Sequence, residues 1–184
     1  MWWRKQAQLA RLAAVLAAAG LTAGCFEPLY GNRPALGTDS VRDKLAAVEL
    51  VPTRMPSGMP GSRIAVGMHN ALQYDLNGAA GATAPTHRLI VEVMPVGISF
   101  MLDSVTGRPT AQIAGVTANF KLIEIATNKV VLKDTAYSHV DYDIAGTQQR
   151  FTQQRAQIDA EDRAVKVVAD AIRNRLASFF VAGT

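Results

Sequence analysis

The 184-residue sequence predicts a two-layer α+β sandwich in which two helices pack on one face of a four-stranded sheet, in the order β-α-β-β-β-α. Residues 111–126 alternate apolar side chains with small or polar ones, which is the period of a strand with one buried face. Residues 62–77 and 159–179 instead repeat apolar side chains every three or four positions, as amphipathic helices do. We therefore expect one α+β domain over residues 41–184.

The first strand is predicted at 45–51, an apolar run that stops at a proline. A loop with further prolines follows over 53–61. Ser62 is a suitable N-cap for the first helix, and Asn77-Gly78 is a suitable C-terminal stop. The apolar stripe of this helix consists of Ile64, Met68, Leu72 and Leu76.

The second strand is predicted within 88–102, which is rich in Val, Ile and Phe. Pro95 and Gly97 prevent a regular central strand there, so we expect an edge position or a bulge. The alternating third strand then turns at Thr127-Asn128-Lys129 into a fourth strand over 130–142.

The last segment predicts the second helix, with Asp159 as its cap. One face of this helix carries a continuous apolar stripe: Val165, Val168, Ile172, Leu176 and Phe179.

The N-terminus has the features of an export signal. A basic start and the apolar run 12–21 precede Cys25, the single cysteine of the chain. We expect residues 1–24 to be a signal peptide and 25–40 a tether; the alternative is an ordinary secretory signal with an unrelated cysteine. Removal of the signal takes away Arg4, Lys5 and Arg11, three of the 19 basic residues. The basic residues that remain nearly balance the 15 acidic ones, so the net charge of the remaining chain is close to zero. The basic net charge therefore does not indicate nucleic-acid binding.

Residue patterns for chemistry are sparse. No nucleotide-binding, hydrolase or metalloprotease motif occurs, and the sequence predicts no catalytic residue, metal or cofactor. Asp141 and Asp143 share one face of a strand and could hold a divalent ion, although a solvated strand end is the simpler interpretation. Ser138 and His139 are the one adjacent nucleophile–base pair, but on a strand they point to opposite faces. The histidines are dispersed: His69, His87 and His139.

The predicted order places three loops at one end of the sandwich, 52–62, 103–110 and 143–158. Arg108, Arg150 and Arg155 fall in these loops, which also hold Arg54, and Arg63 lies at the rim of the first helix. Guanidinium groups bind phosphate and carboxylate groups through forked hydrogen bonds, so this end could recognise such partners. The alternative is a set of scattered, solvated arginines.

The segment Leu21-Thr22-Ala23-Gly24-Cys25 resembles a lipobox, the site at which bacterial lipoproteins are cleaved and lipidated on cysteine. Gly24-Cys25-Phe26-Glu27-Pro28-Leu29-Tyr30-Gly31 is similar to the start of the LPS-assembly lipoprotein family. Members often carry Gly-Cys-Gly-Phe-x-Pro-Leu-Tyr-Gly, and here the glycine after the cysteine is missing. The predicted element order also fits this family, whose two helices pack on a four-stranded sheet.

The resemblance implies an outer-membrane lipoprotein that is not an enzyme and has no cofactor. It would be anchored at the periplasmic face by lipid, including palmitate, on Cys25. It would plug the large β-barrel of the lipopolysaccharide translocon and aid lipopolysaccharide insertion, without binding nucleic acid. Phe26 after the cysteine is compatible with outer-membrane sorting.

The resemblance also implies lipopolysaccharide binding through basic residues, but no family motif fixes their positions. Arg108, Arg150 and Arg155 are therefore candidates from their predicted loops alone. The alternative function is a periplasmic lipid-binding or transport-auxiliary lipoprotein without a barrel partner, which needs an apolar cavity between sheet and helices. An envelope hydrolase using Ser138 and His139 is a third possibility.

Overall fold

The computed structural model describes residues 40–52, 61–78, 84–102, 104–105, 107, 109–144 and 150–182. The predicted signal peptide, Cys25 and the predicted tether up to residue 39 lie outside these residues, as do Arg54 and Arg108. The predictions made for them stay predictions.

The chain forms one four-stranded sheet with helices packed against it, as the sequence predicts. The elements in order are α1 Val41–Ala46, β1 Val48–Leu50, α2 Ser62–Asn77, β2 His87–Leu102, β3 Pro109–Glu124, β4 Lys129–Asp143 and α3 Arg150–Ala182. The strand order across the sheet is β1-β2-β3-β4. Strand β1 runs parallel to β2, and the other neighbours are antiparallel.

The predicted first strand is wrong at its start. Residues 41–46 form the short helix α1, and β1 has only three residues. The Ala47 N–H donates to the Asp43 carbonyl at 3.0 Å, which closes a helical turn across the expected strand start. Leu45 is buried on that turn, so its apolar side chain reflects helix packing.

Strand β2 is an edge strand over most of its length, as Pro95 led us to expect. Strand β1 pairs only with residues 87–89. The Leu89 carbonyl accepts from the Val51 N–H, so the backbone groups of Leu89 point to the β1 side. This direction alternates along a strand, and the register has no break between Leu89 and Pro95, so the nitrogen of Pro95 points to the same side. No described strand pairs there, so the missing N–H of Pro95 leaves no hydrogen bond unmade.

The hairpin and the core match the sequence predictions. Asn128 adopts a φ of 54° and donates its N–H to the Glu124 carbonyl at 2.8 Å. The predicted stripe of α2 is buried, and so are the alternating residues of β3: Ala114, Val116, Ala118, Phe120 and Leu122. These side chains face the helices and form the layer between sheet and helices.

Helix α3 is longer than predicted, with 33 residues beginning at Arg150. Asp159 does not cap it, because its carboxylate lies inside the helix and pairs with Arg163 at 2.9 Å. The additional turns are held to the sheet by Ala156 and Ala160, which pack against Ala114, Tyr142 and Val140. The loop assigned to 143–158 is therefore mostly helix.

Helix α2 begins where the sequence predicts, but with a different cap. Gly61 is the N-cap, with a φ of 92°, and no side chain caps the helix; Ser62 is its first residue. At the other end, Gly78 has a φ of 62° and donates its N–H to the Tyr74 carbonyl, which confirms the predicted stop.

The start of α2 lies directly against the edge of β2. A Cβ added at Gly61 would be 2.8 Å from Cγ of Pro95 and 3.0 Å from its Cδ. The positive φ is also costly for any residue with a side chain. Gly61 therefore allows both the backbone turn and the close approach of α2 to β2.

We predict that Gly61→Ala lowers the free energy of unfolding by about 2–4 kcal/mol, from left-handed strain and the clash with Pro95. The control is Gly97→Ala, because a Cβ at Gly97 meets no atom within 4 Å. That change should stay within about 0.5 kcal/mol. Urea unfolding followed by circular dichroism measures both values; equal stability of the two variants would contradict the prediction.

Candidate functional site

The candidate site lies at the end of the sandwich that holds both the β2–β3 turn and the first turns of α3. Ala160 packs at the level of Ala114. Arg150 lies ten helical residues before Ala160, and the β2–β3 turn lies four to five strand residues before Ala114. Both stretches rise about 15 Å, so Arg150 lies level with that turn. We call this end the tip and define it by Leu102, Val105 and residues 150–155.

The structure places two of the predicted site residues on helix α3 instead of a loop. Arg150 is its first residue and Arg155 lies one turn further on, and both are exposed. Neither forms an ion pair with another described residue. Their charges at the tip are therefore available to a partner.

Large apolar side chains are exposed at the same end of the sandwich. Phe151 is 72% exposed, Leu102 65% and Val105 91%. The guanidinium carbon of Arg155 lies 5.5 Å from the centroid of the Phe151 ring, within cation–π range. The tip thus combines cationic and apolar groups, which suits an amphipathic partner with anionic groups. Phe151 is not among the site residues predicted from the sequence. Its spacing of four from Arg155 places both on one side of a helix, but this signal applies only when 150–155 is recognised as helix.

Arg63, at the rim of α2, differs from the tip arginines because acidic residues of α3 hold it. Its guanidinium pairs with both Glu161 and Asp162. Burial opposes the charge of Arg63, but the hydrogen bonds to these two carboxylates outweigh it and raise its pKa. Arg63 therefore ties α2 to α3 and presents little free charge.

A cleft of about 320 Å³ lies between the start of α2, α3 and the sheet. Its lining includes charged and polar groups of Arg63, Glu161, Gln157 and Tyr142, together with backbone at Gly97 and Gly115. The Tyr142 hydroxyl donates to Oε1 of Gln112 at 2.5 Å, and burial, then the charge of Glu161, raises the pKa of this tyrosine. The cleft is not the apolar cavity that a lipid carrier needs.

The candidate nucleophile–base pair is not assembled. Ser138 is buried on the helix side of β4, whereas His139 lies on the outer face, which we define as the sheet face away from the helices. The His139 ring there covers Gly115, with Cδ2 only 2.8 Å from where a Cβ would lie. The two side chains are on opposite faces, as the strand period predicts.

The carboxylates of Asp141 and Asp143 lie at the exposed end of β4. Within the described ranges, no group of three His, Cys, Asp or Glu side chains is arranged to hold a metal ion. In the same part of the chain, no helix combines the length and apolar character needed to cross a bilayer.

The histidines are far apart in the fold. His69 lies on α2, His139 on β4, and His87 at the start of β2. His87 contacts the edge of the Phe180 ring, with centroids 5.2 Å apart, and its Nδ1 lies 2.9 Å from the Thr86 hydroxyl. Burial lowers the pKa of His87, and the nearby charge of Glu124 opposes this only in part.

Comparison with known proteins identifies the fold but no sequence family. No protein-family model matches the chain, and no curated protein matches its sequence. A candidate lipoprotein of Caulobacter crescentus has a TM-score of 0.59 and 21% identity, over 78% of this chain and 97% of that one. Rare lipoprotein B of Shewanella oneidensis has a TM-score of 0.54 and 14% identity, over 73% and 96%.

A minor lipoprotein of Acinetobacter baumannii is also similar, with a TM-score of 0.50 and 16% identity, over 71% of this chain and 88% of that one. At these identities the likeness establishes the fold. This chain has a fold that occurs in lipoproteins of several bacteria.

We predict that His87 makes the protein less stable as the pH falls. The unfolded chain, with an ordinary histidine pKa near 6.5, binds the proton before the folded chain does. Stability is therefore fully present above pH 6.5 and declines as the pH falls through the lowered folded pKa. Urea unfolding at pH 7.5 and 5.5 should show a smaller difference for His87→Gln than for the unmodified chain.

The control for this experiment is His139→Gln, which removes an imidazole from the exposed face of β4. Its unfolding at the two pH values shows what the loss of an imidazole elsewhere in the sheet does to the pH difference. An unchanged pH difference in His87→Gln would show that His87 is not responsible.

Proposed function

We propose that this chain is an outer-membrane lipoprotein that plugs the β-barrel of the lipopolysaccharide translocon, supports its assembly and aids lipopolysaccharide insertion at the cell surface. The observation that carries the proposal is the motif from Gly24 to Gly31, with Cys25 as the lipidation site, in a chain whose fold occurs in bacterial lipoproteins. The proposed role is non-enzymatic.

The dimensions of the sandwich support a role as a plug. Strands β2, β3 and β4 have 16, 16 and 15 residues. At about 3.3 Å per residue they extend roughly 50 Å, which exceeds the ~30 Å hydrocarbon thickness of a bilayer. A two-layer body of this length can fill a wide barrel through the membrane and reach both interfaces, as in the large barrels with a plugged lumen.

The tip supports a contact with lipopolysaccharide, which carries phosphate groups next to acyl chains. The guanidinium groups of Arg150 and Arg155, which form no ion pair with another described residue, suit the phosphates. The exposed side chains of Phe151, Leu102 and Val105 suit the acyl chains. Arg108 remains a candidate from its position in the sequence between β2 and β3.

The periplasmic lipid-carrier alternative is less well supported. A carrier buries most of its ligand in an apolar cavity. The cleft beside α2 contains the Arg63–Glu161 ion pair and the Tyr142 hydroxyl instead. We therefore favour the plug, in which the lipid contact is made at an exposed surface.

We predict that the tagged chain co-purifies with a β-barrel protein of far greater mass from gently solubilised outer membranes. The control, Cys25→Ser, removes the lipidation site and should leave the membrane fraction. Mass spectrometry of the eluate identifies the partner. Recovery of the lipidated chain as a free species without any barrel would contradict the plug.

We also predict that replacing Arg108, Arg150 and Arg155 together with glutamine weakens lipopolysaccharide binding by at least about tenfold, since each charged hydrogen bond contributes on the order of 1.5–3 kcal/mol. The matched control replaces Lys44, Lys121 and Lys166, which removes the same charge away from the tip. Binding is measured with purified lipopolysaccharide in detergent. Equal affinities of the two triple variants would refute the assignment of the site.

A further inference from the structure

The outer edge of β4 is long and regular. From Leu132 to Asp143 it pairs with β3 without any break in register, and the strand contains no proline or glycine. In the described part of the chain no strand pairs with its other side. The opposite edge of the sheet differs, because β2 carries Pro95 and has register breaks between Ser99 and Leu102. Native proteins usually protect an edge such as that of β4 by covering or pairing it.

Alternate residues of β4 direct their backbone groups outward from the sheet. The Ile144 N–H donates to the Thr110 carbonyl at 2.9 Å, so this even position bonds to β3. In an antiparallel ladder the N–H and C=O of one residue point to the same side, and the side alternates along the strand. The backbone N–H and C=O groups of the odd-numbered residues from Lys133 to Asp143 therefore point away from β3, in the plane of the sheet. Accordingly, the N–H of Thr135 bonds to the Asp134 carboxylate instead of to β3.

The charges along this edge are arranged for pairing with an identical strand. On the outer face, Lys133 lies near the start of β4 and Asp141 near its end. Lys133 is directly opposite Lys121 of β3, a like-charge pair that an acidic neighbour on its other side would relieve. If two β4 strands pair antiparallel with Tyr137 opposite Tyr137, Lys133 of each copy lies opposite Asp141 of the other. A parallel pairing in register would place like charges together.

The helix side of the same edge provides room for side chains of an added strand. A groove of about 310 Å³ lies between β4 and α3, lined by Phe120, Ala136, Ala171 and the Asp134–Arg175 ion pair. In the antiparallel pairing, Val140 of the second copy lies opposite Asp134 and faces this groove. Val167, one turn before Ala171 on α3, is 53% exposed and adds apolar surface to the same flank.

We propose that this edge is an interface between two copies of the chain, in which antiparallel β4 strands join two sheets into one of eight strands. Main-chain hydrogen bonds supply the attraction, and the groove receives alternate side chains, as in other cases of strand addition. The reciprocal Lys133–Asp141 pairs set the register. This interface goes beyond the proposed function and does not depend on it: it concerns the chain outside a barrel, because an eight-stranded sheet is twice as wide as the four-stranded one proposed as the plug.

The test is the mass of the full-length chain in density-matched detergent, measured by sedimentation over a range of concentrations. The unmodified chain forms a dimer. Lys133→Asp and Asp141→Lys alone each weaken the dimer at least about tenfold, because two attractive pairs become repulsive. The double variant restores it. Lys129→Asp is the control: it makes the same charge change on β4, but no strand residue lies opposite it in this register, so the dimer persists.

A second measurement tests the register. Tyr137→Cys places two cysteines opposite each other at the twofold axis, with Cα atoms about 5.5 Å apart, which is within disulfide range. Mild oxidation should link this variant into a covalent dimer, and Lys129→Cys should stay unlinked. A monomer at all concentrations, a dimer insensitive to Lys133→Asp, or a disulfide from Tyr137→Cys to a different protein would each overturn the proposal.

Discussion

The match in length between helix α3 and the three long strands is the constraint on which the rest of the structure depends. A helix of 33 residues rises about 50 Å, as do strands of 15 or 16 residues. The helix surface that meets the sheet is built largely from alanine, valine and isoleucine, which allow a close approach from Ala160 to Ala177. The buried set is Ala160, Ala164, Val165, Val168, Ala169, Ile172, Leu176 and Ala177. Without this continuous contact, the ends of β3 and β4 near the tip would have no covering layer.

The same constraint decides which arginines hold the fold and which remain available. Arg63 lies where the start of α2 packs against α3, and the acidic pair Glu161 and Asp162 neutralises it. Arg150 and Arg155 lie beyond the end of α2, on turns of α3 that have no facing helix among the described residues. Similar side chains thus act as a structural link in one place and as free surface charge in another, because of the different lengths of two helices.

Much of the fold could be predicted from the sequence, because the decisive signals are local. The alternation in β3, the helical stripe of α2 and the Asn-containing turn before β4 depend on neighbouring residues. The sequence predicts helix α3 too short, since the additional turns at 150–158 reach the sheet through the small side chain of Ala156, which gives weak apolar periodicity. The sequence predicts Asp159 as a cap because capping and pairing with Arg163 use the same carboxylate, and tertiary packing decides between them.

The candidate site was less predictable for the same reason. The element order alone places Arg150 and Arg155 at one end of the sandwich. Phe151 can be recognised as their neighbour only when helix α3 is known to begin at residue 150. The pairing of Arg63 with α3 depends on residues almost a hundred positions away in the chain, which no local pattern reports.

The unequal helical cover of the sheet creates a gradient of local stability along the molecule. Among the described residues, both long helices reach the sheet near Val48 and His87, where Asn77 of α2 donates to the Val48 carbonyl and Phe180 of α3 contacts His87. Beyond Pro95, α3 is the one described helix over the sheet. Proteins open in cooperative units whose free energies rise with buried apolar contact. The tip therefore belongs to the unit that opens most easily, and it can rearrange around a partner while the layer built on α2 stays folded.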